Sequence, residues 1–190
     1  MTLGVDVGGT FTDLAWWDGA RLRVGKTPTS RHQDEAVVSG ALRLLESASV
    51  PALLHGTTVA TNALLERAGA RTALVVEEGF EDLVEIGRQE RPSLYDPFAD
   101  RPEPLVPGGR RFGCDPDLDP AGLVARVGAV RPAAVAVSFL YSFRDPSAER
   151  RIGAALAEAF PGLPLCLSGE VAPEFREFER ISTTVLNAYL

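Results

Sequence analysis

The chain has 190 residues, 45% of them hydrophobic and 24% charged, which is ordinary for a globular protein long enough to bury one full core. No apolar run approaches the roughly 18 residues of a membrane span, and nothing at the N-terminus reads as a signal peptide. The net charge is −7, and the 19 basic residues (18 Arg and one Lys) are scattered, which argues against nucleic acid as the main partner.

The elements follow from hydrophobic period and turn chemistry. Thr2–Val7 is predicted as an apolar strand, Thr10–Trp17 as a second after a Gly-Gly turn, and Arg21–Lys26 as a third, closed by Asp18-Gly19. Gln33–Glu46 carries its apolar residues on one helical face. Ala52–His55 is a brief strand, and Val59–Ala68 a helix with Gly69 as its C-terminal cap. Arg71–Val76 is a buried strand and Phe80–Arg88 a helix. Arg91–Pro120 follows, rich in Pro, Gly and Asp and without periodicity. Ala121–Val130 is a helix, Ala133–Tyr141 an apolar strand, and Asp145–Phe160 a helix with Pro146 in its first turn. Leu163–Ser168 is a strand, and Phe175–Leu190 a helix that reaches the last residue without a stop signal, as expected of a chain that continues in a longer protein. Alternating strand and helix periods imply one α/β domain over residues 1–190: a mixed sheet opening with antiparallel hairpins, flanked by helices. Cys114 and Cys166 lie far apart, in no ligand spacing. They are expected to be reduced thiols, and a cytoplasmic location follows.

The stretch LGVDVGGTFTD (Leu3–Asp13) carries a carboxylate at Asp6 on an otherwise apolar strand. That is costly unless the group closes a turn or faces a ligand or metal. Gly8 and Gly9 let the backbone approach a ligand closely. The N–H groups of Gly8, Gly9 and Thr10 suit a concave anion site, with the Thr10 and Thr12 hydroxyls as further donors. Asp6 suits a hydrated Mg²⁺, which takes only one or two carboxylates, and Asp13 is a second carboxylate across the turn. A plain hairpin needs the glycines but not the Asp and Thr around them. In HGTT (His55–Thr58) a strand meets a helix. With Thr58 as N-cap, Gly56 and Thr57 lie where N–H groups and the helix dipole attract an anion, although capping alone is the competing reading. His55 is a general base or substrate donor by type, while a lone His is more often structural. His32 carries no functional assignment. Arg88 and Arg91 belong to a charged stretch with Asp82, Glu85 and Glu90, where a solvated face competes with a clamp for a substrate carboxylate. A similar run from Glu170 to Arg180 reads as solvated, and Ser182 to Thr184 as facing a missing domain. Ala20–Thr27 fits a relaxed phosphate-loop pattern, but its bulky residues alternate like a strand and Pro28 follows. It is a chance match.

VDVGGTFTD, HGTTVATNALLERAGARTALV, GFEDLVEIGRQERPSLYD and EFREFERISTTVLNAYL, in this order, resemble the N-terminal region of the hydantoinase A/5-oxoprolinase family, which also includes acetone carboxylase large subunits. The resemblance implies a ribonuclease H-like half of the actin, sugar kinase and Hsp70 type. There Asp6 would lie near Mg²⁺ and Gly8 to Thr10 near the phosphates of ATP. Beside the resemblance, the residues themselves put Thr12 and Asp13 with the cofactor, His55 to Thr58 toward the substrate or the transferred phosphate, and Arg88 and Arg91 with the substrate. The resemblance also implies ATP-dependent attack on an unreactive carbonyl: a hydantoin or oxoproline-like cyclic amide is phosphorylated on oxygen and opened by water. A missing C-terminal half with the adenosine site and a hydantoinase B-type partner subunit would complete the enzyme. No second phosphate loop stands in these residues, so the chain alone is expected to be inactive. The region Val106–Leu118 is also shorter than the family's usual form. A small-molecule kinase of the same fold and a non-catalytic nucleotide-binding scaffold are the alternatives.

Overall fold

The structure, a computed structural model, describes residues 1–30, 33–45 and 50–190, so His32 and Glu46 lie outside the described residues. The region treated above as one domain divides into two compact units, Met1–Ala68 and Gly69–Leu190.

The first unit contains strands β1 (Thr2–Val7), β2 (Phe11–Trp17), β3 (Leu22–Pro28) and β4 (Leu53–Thr57), with helices α1 (Gln33–Leu44) and α2 (Val59–Leu65). Its sheet runs β3-β2-β1-β4, with β4 parallel to β1 and the other pairs antiparallel. Asp18-Gly19 turns the β2–β3 hairpin as predicted. Asp18 Oδ1 accepts the N–H groups of Ala20 and Arg21 at 2.8 and 2.7 Å, and Gly19 takes φ +104°. Strand alternation sends Leu3, Val5, Val7, Leu14 and Trp16 to one face, where Val37, Ala41 and Leu44 of α1 cover them. A Cβ on Gly40 would stand 2.7 Å from Leu14 Cδ1, so glycine there lets α1 seat closely. The expected cap at Gly69 is replaced by one two residues earlier. Arg67 takes φ 54°, its N–H bonds Leu64 O at 3.2 Å, and Ala68 N–H bonds Ala63 O at 2.9 Å. This Schellman closure uses no glycine. Gly69 serves the second unit instead, where a Cβ would fall 2.2 Å from Tyr189 Cε1.

The second unit is built on strands β5 (Thr72–Glu77), β6 (Arg111–Cys114), β7 (Ala134–Ser138) and β8 (Leu165–Leu167), all parallel in the order β6-β5-β7-β8. Its helices are α3 (Leu83–Ile86), α4 (Ala121–Ala129), α5 (Ser147–Ala159), α6 (Ser168–Val171) and α7 (Glu177–Tyr189). Burial on both faces explains the unbroken apolar runs of β5 and β7. Ala73, Val75, Val135 and Val137 pack with Leu123 and Val127 of α4 and Ile152 and Leu156 of α5. Leu74, Val76, Ala134 and Ala136 pack with Ile181, Val185 and Ala188 of α7. The expected mixed sheet is thus that of the first unit, and the later strands form a separate parallel one.

Strand β6 lies inside the stretch expected to lack periodicity. A four-residue edge strand is too short to show a period, and its Arg111 is buried against the pattern. Arg111 Nε donates to Val106 O at 2.8 Å, and Nη1 pairs with Asp82 and Glu85 at 2.9 and 2.7 Å. Asp82 and Glu85 therefore clamp a buried arginine rather than only face solvent. The predicted helix Phe80–Arg88 shrinks to α3, ended by Gly87 at φ 57°. Arg180, expected on a solvated face, is fully buried. Its guanidinium donates to Ser168 Oγ at 3.0 Å, Glu174 O at 2.8 Å and Phe139 O at 2.7 Å, and pairs with Glu177. The Ser182 and Thr184 hydroxyls turn back onto the helix carbonyls of Phe178 and Arg180 at 2.7 Å each. Among the described residues no helix is long and apolar enough to cross a membrane.

Candidate functional site

The first hairpin places its carboxylates by register. Across the sheet, Lys26 stands opposite Asp13, Asp13 opposite Asp6, and Asp6 opposite Gly56, so that Lys26, Asp13, Asp6 and Gly56 form one row on the face away from α1. Lys26 Nζ meets both Asp13 oxygens, at 2.9 and 3.0 Å. Among the described residues neither cation nor N–H pairs with the Asp6 carboxylate. Gly56 keeps its flank open: a Cβ there would lie 3.6 Å from Asp6 Oδ1. The row borders a groove of about 570 Å³ floored by the small residues Gly4 and Ala15.

At the tip, Gly8 N–H closes the hairpin on Phe11 O at 2.9 Å, so Gly8 is not the anion donor the sequence suggested. Among the described residues the N–H groups of Gly9 and Thr10 carry no such bond. Thr12 is also placed differently. It is fully buried beneath the loop, its hydroxyl 3.0 Å from that of Thr29, and does not face a ligand. Neither Gly8 nor Gly9 has a positive φ. The need for glycine is spatial: a Cβ on Gly8 would stand 3.0 Å from Phe11 O, and one on Gly9 3.1 Å from Asn62 Nδ2.

Two residues missed in the sequence hold this tip. Thr29 donates its N–H to Thr10 O at 3.0 Å and its hydroxyl to Gly8 O at 2.9 Å. Asn62 of α2 abuts Gly9 and donates to Thr58 Oγ1 at 3.4 Å. Asn62 was legible as the residue one helical turn beyond Thr58; Thr29 follows Pro28 in an unremarkable stretch and gave no signal.

HGTT is not a strand end followed by a free helix entrance. Gly56 and Thr57 belong to β4, and Thr58 N–H bonds Val7 O at 3.1 Å. Thr58 occupies the N-cap position, but its hydroxyl caps nothing. Thr57 Oγ1 instead accepts the Val59 N–H at 3.2 Å. β4 is exposed along its length rather than buried, and His55, level with Val5, leaves the sheet on the face opposite Asp6. The two residues therefore do not converge as an acid–base pair.

Arg88 and Arg91 lie in the second unit, in a groove of about 980 Å³ with Glu90, Arg101 and Phe178. Arg88 is engaged by Glu179. The Glu179 carboxyl is held below its usual range by its own backbone N–H and then by that guanidinium. Arg101 caps the carbonyls of Glu85 and Ile86 at 2.8 and 2.9 Å, fixing the loop over α3. Arg91 is exposed.

Among the described residues no group of three or more His, Cys, Asp or Glu could hold a metal. A cation that keeps most of its waters and takes a single carboxylate suits Asp6.

Residues 2–160 match the family model of the hydantoinase/oxoprolinase N-terminal region. The chain is 36% identical to the caprolactamase subunit alpha of Pseudomonas jessenii, over 99% of its own length and 31% of that protein's. It is 31% identical to the acetophenone carboxylase gamma subunit of Aromatoleum aromaticum, over 100% of its length and 31% of the other's. It thus spans about a third of these curated relatives. The crystal structure of the ATP-dependent caprolactamase from Pseudomonas jessenii superposes with a TM-score of 0.79 at 33% identity, covering 100% of this chain and 31% of that one. The α/β architecture is accordingly that of the nucleotide-binding, actin-like fold. Sequence and fold agree that the chain belongs to the hydantoinase/oxoprolinase N-terminal family.

Proposed function

We propose that the chain is the nucleotide-handling N-terminal part of a cytoplasmic, ATP-dependent amidohydrolase subunit of the hydantoinase/5-oxoprolinase type. The observation that carries this is Asp6, a carboxylate that no cation or N–H engages among the described residues, flanked by Gly56 on the strand that leads into the Gly8–Thr10 tip. Asp6 would hold Mg²⁺, which when bound neutralises phosphate charge and orients the triphosphate for in-line transfer. Gly9 and Thr10 donate to phosphate oxygens, while Thr29 and Asn62 keep the tip in shape. The acceptor is the carbonyl oxygen of a cyclic amide. Amide resonance makes that carbon unreactive; transfer of the terminal phosphoryl group of ATP to the oxygen, with release of ADP, makes it electrophilic. Water then adds, the C–N bond breaks with the nitrogen leaving as the amine, and a second water hydrolyses the resulting acyl phosphate to acid and phosphate. His55, exposed on β4, and Arg91 are the candidate substrate contacts, each within its own unit.

The remainder of such a subunit, with the adenosine site, and a hydantoinase B-type partner would complete the enzyme. That relatives are named as alpha and gamma subunits supports this. The carboxylase relative favours a second reading, in which the acceptor is the enolic oxygen of a ketone. In the full-length subunit with its partner, Asp6→Ala is expected to lower Mg²⁺-dependent ATP turnover by about a hundredfold or more, with an unchanged circular dichroism spectrum. Unchanged turnover would sink the assignment. Product analysis separates the chemistries: ring-opened acid with ADP and phosphate for the hydrolase, a lasting phosphorylated product for a kinase.

A further inference from the structure

We propose that Lys26 is a phosphate ligand of the hairpin site, held on Asp13 until an anion arrives; this rests on the nucleotide reading of Asp6 and the Gly9–Thr10 tip. Lys26 is the sole lysine of a chain that carries 18 arginines. It stands in the same row as Asp6, one strand beyond Asp13, and Asp13 is the carboxylate that engages it. The ammonium also lies 5.0 Å from the centre of the Phe11 ring. Phe11 is two residues nearer the tip than Asp13 on the same face, so the side chain leans toward the tip donors rather than away from them.

Both partners of the ion pair are about half exposed, at 56% and 53%, and a pair so placed contributes little to stability and parts readily. A lysine suits the exchange better than an arginine. Its compact charge rides on a flexible four-carbon stem and presents three donors in any direction, whereas a guanidinium would stay forked on Asp13. Pairing Lys26 with Asp13 also leaves Asp6 as the one carboxylate of the row open to a cation. Once phosphate draws Lys26 away, Asp13 becomes a second negative charge beside Asp6 and strengthens cation binding there. Phosphate and metal would thus bind with positive coupling.

Lys26 is the one lysine of these 190 residues, so its peptide is unambiguous within them. The full-length subunit with its partner is incubated with an acyl phosphate of ATP, in which an amine near the phosphates attacks the acyl carbon, forms an amide and releases ATP. The acylated peptide is then identified by mass spectrometry, with the N-terminal amine as internal reference. ATP affinity is measured separately by calorimetry for the wild type, Lys26→Met, Lys26→Arg and Asp6→Ala. Expected are acylation of Lys26 that excess ATP suppresses, and at least about tenfold weaker ATP binding by Lys26→Met with partial recovery in Lys26→Arg. Because Lys26 is exposed, these variants should fold as the wild type does. Wild-type affinity in Lys26→Met, or acylation that ATP does not suppress, would overturn the role of Lys26 while Asp6→Ala still reports on the nucleotide site. Absence of ATP binding by the wild type would overturn the nucleotide reading, and Lys26 with it.

Discussion

Thr29 fastens the first hairpin from outside it. Its hydroxyl joins Gly8 O and the buried Thr12 hydroxyl, and its N–H holds Thr10 O. Thr29→Val keeps the shape and the N–H but strands the Thr12 hydroxyl. A loss of about 1–3 kcal/mol in urea unfolding is expected, together with weaker ATP binding, and Thr29→Ser should restore both. Equal stability of Thr29→Val and wild type would show that the hydroxyl holds nothing. Cys114 illustrates burial acting on a titration. Removal from water pushes its thiol from an ordinary 9.0 up to about 11. The folded state therefore favours the neutral thiol. This stabilisation is complete below pH 9 and is lost as pH rises from 9 to 11. At pH 8 Cys114 should present on the order of a hundredfold less thiolate than an unshifted thiol and alkylate correspondingly slowly, as a time course with iodoacetamide would read.

Among the elements, β6 and α7 depend most on charges that the sequence pattern sends outside. Arg111 and Arg180 are both buried, the first in a stretch that read as a connection and the second in a run that read as solvated, because a helical or strand period counts an arginine as polar whatever it pairs with. Arg180 belongs to a buried hydrogen-bonded network. Glu149, also fully buried, accepts the N–H groups of Phe139 and Gly169 at 2.9 Å each and the Ser168 hydroxyl at 2.5 Å, tying α5, α6 and the end of β7 to the serine that Arg180 holds. Arg180→Met would leave Phe139 O and Glu174 O without this partner, and a cost of about 3 kcal/mol or more is expected in denaturant titration. A change below about 1 kcal/mol would show that water replaces the guanidinium. The opening hairpins, by contrast, were legible almost to the residue, since Gly-Gly and Asp-Gly punctuate clean alternation. The end of α2 was not, because Arg67 accepts the left-handed conformation that a glycine was expected to take.

For the molecule as a whole, the two sheets differ in cover. β5 and β7 are central strands packed on both faces, whereas the first sheet is covered by α1 on one face and ends in the exposed β4. Hydrogen exchange should therefore be slowest in peptides from Thr72–Glu77 and Ala134–Ser138 and fastest, among strands, in Leu53–Thr57. Protection of Leu53–Thr57 equal to that of β5 would contradict the exposure of this strand. The parallel sheet also decides the cysteines. Cys114 on β6 and Cys166 on β8 sit at opposite edges of four strands, about 14 Å apart by strand spacing, too far for a disulfide.

The sequence by itself determined the α/β class, the opening hairpins and the Asp6–Gly–Gly–Thr candidate site, because turn residues and alternation act locally. The tertiary structure decided what depends on partners distant in sequence: which glycine N–H is already bonded, that Thr12 lies beneath the loop, that His55 and Asp6 leave opposite faces, and that Lys26 joins the carboxylate row. A side chain's face follows from alternation, but the group it meets there depends on strand register and packing, which no local pattern encodes.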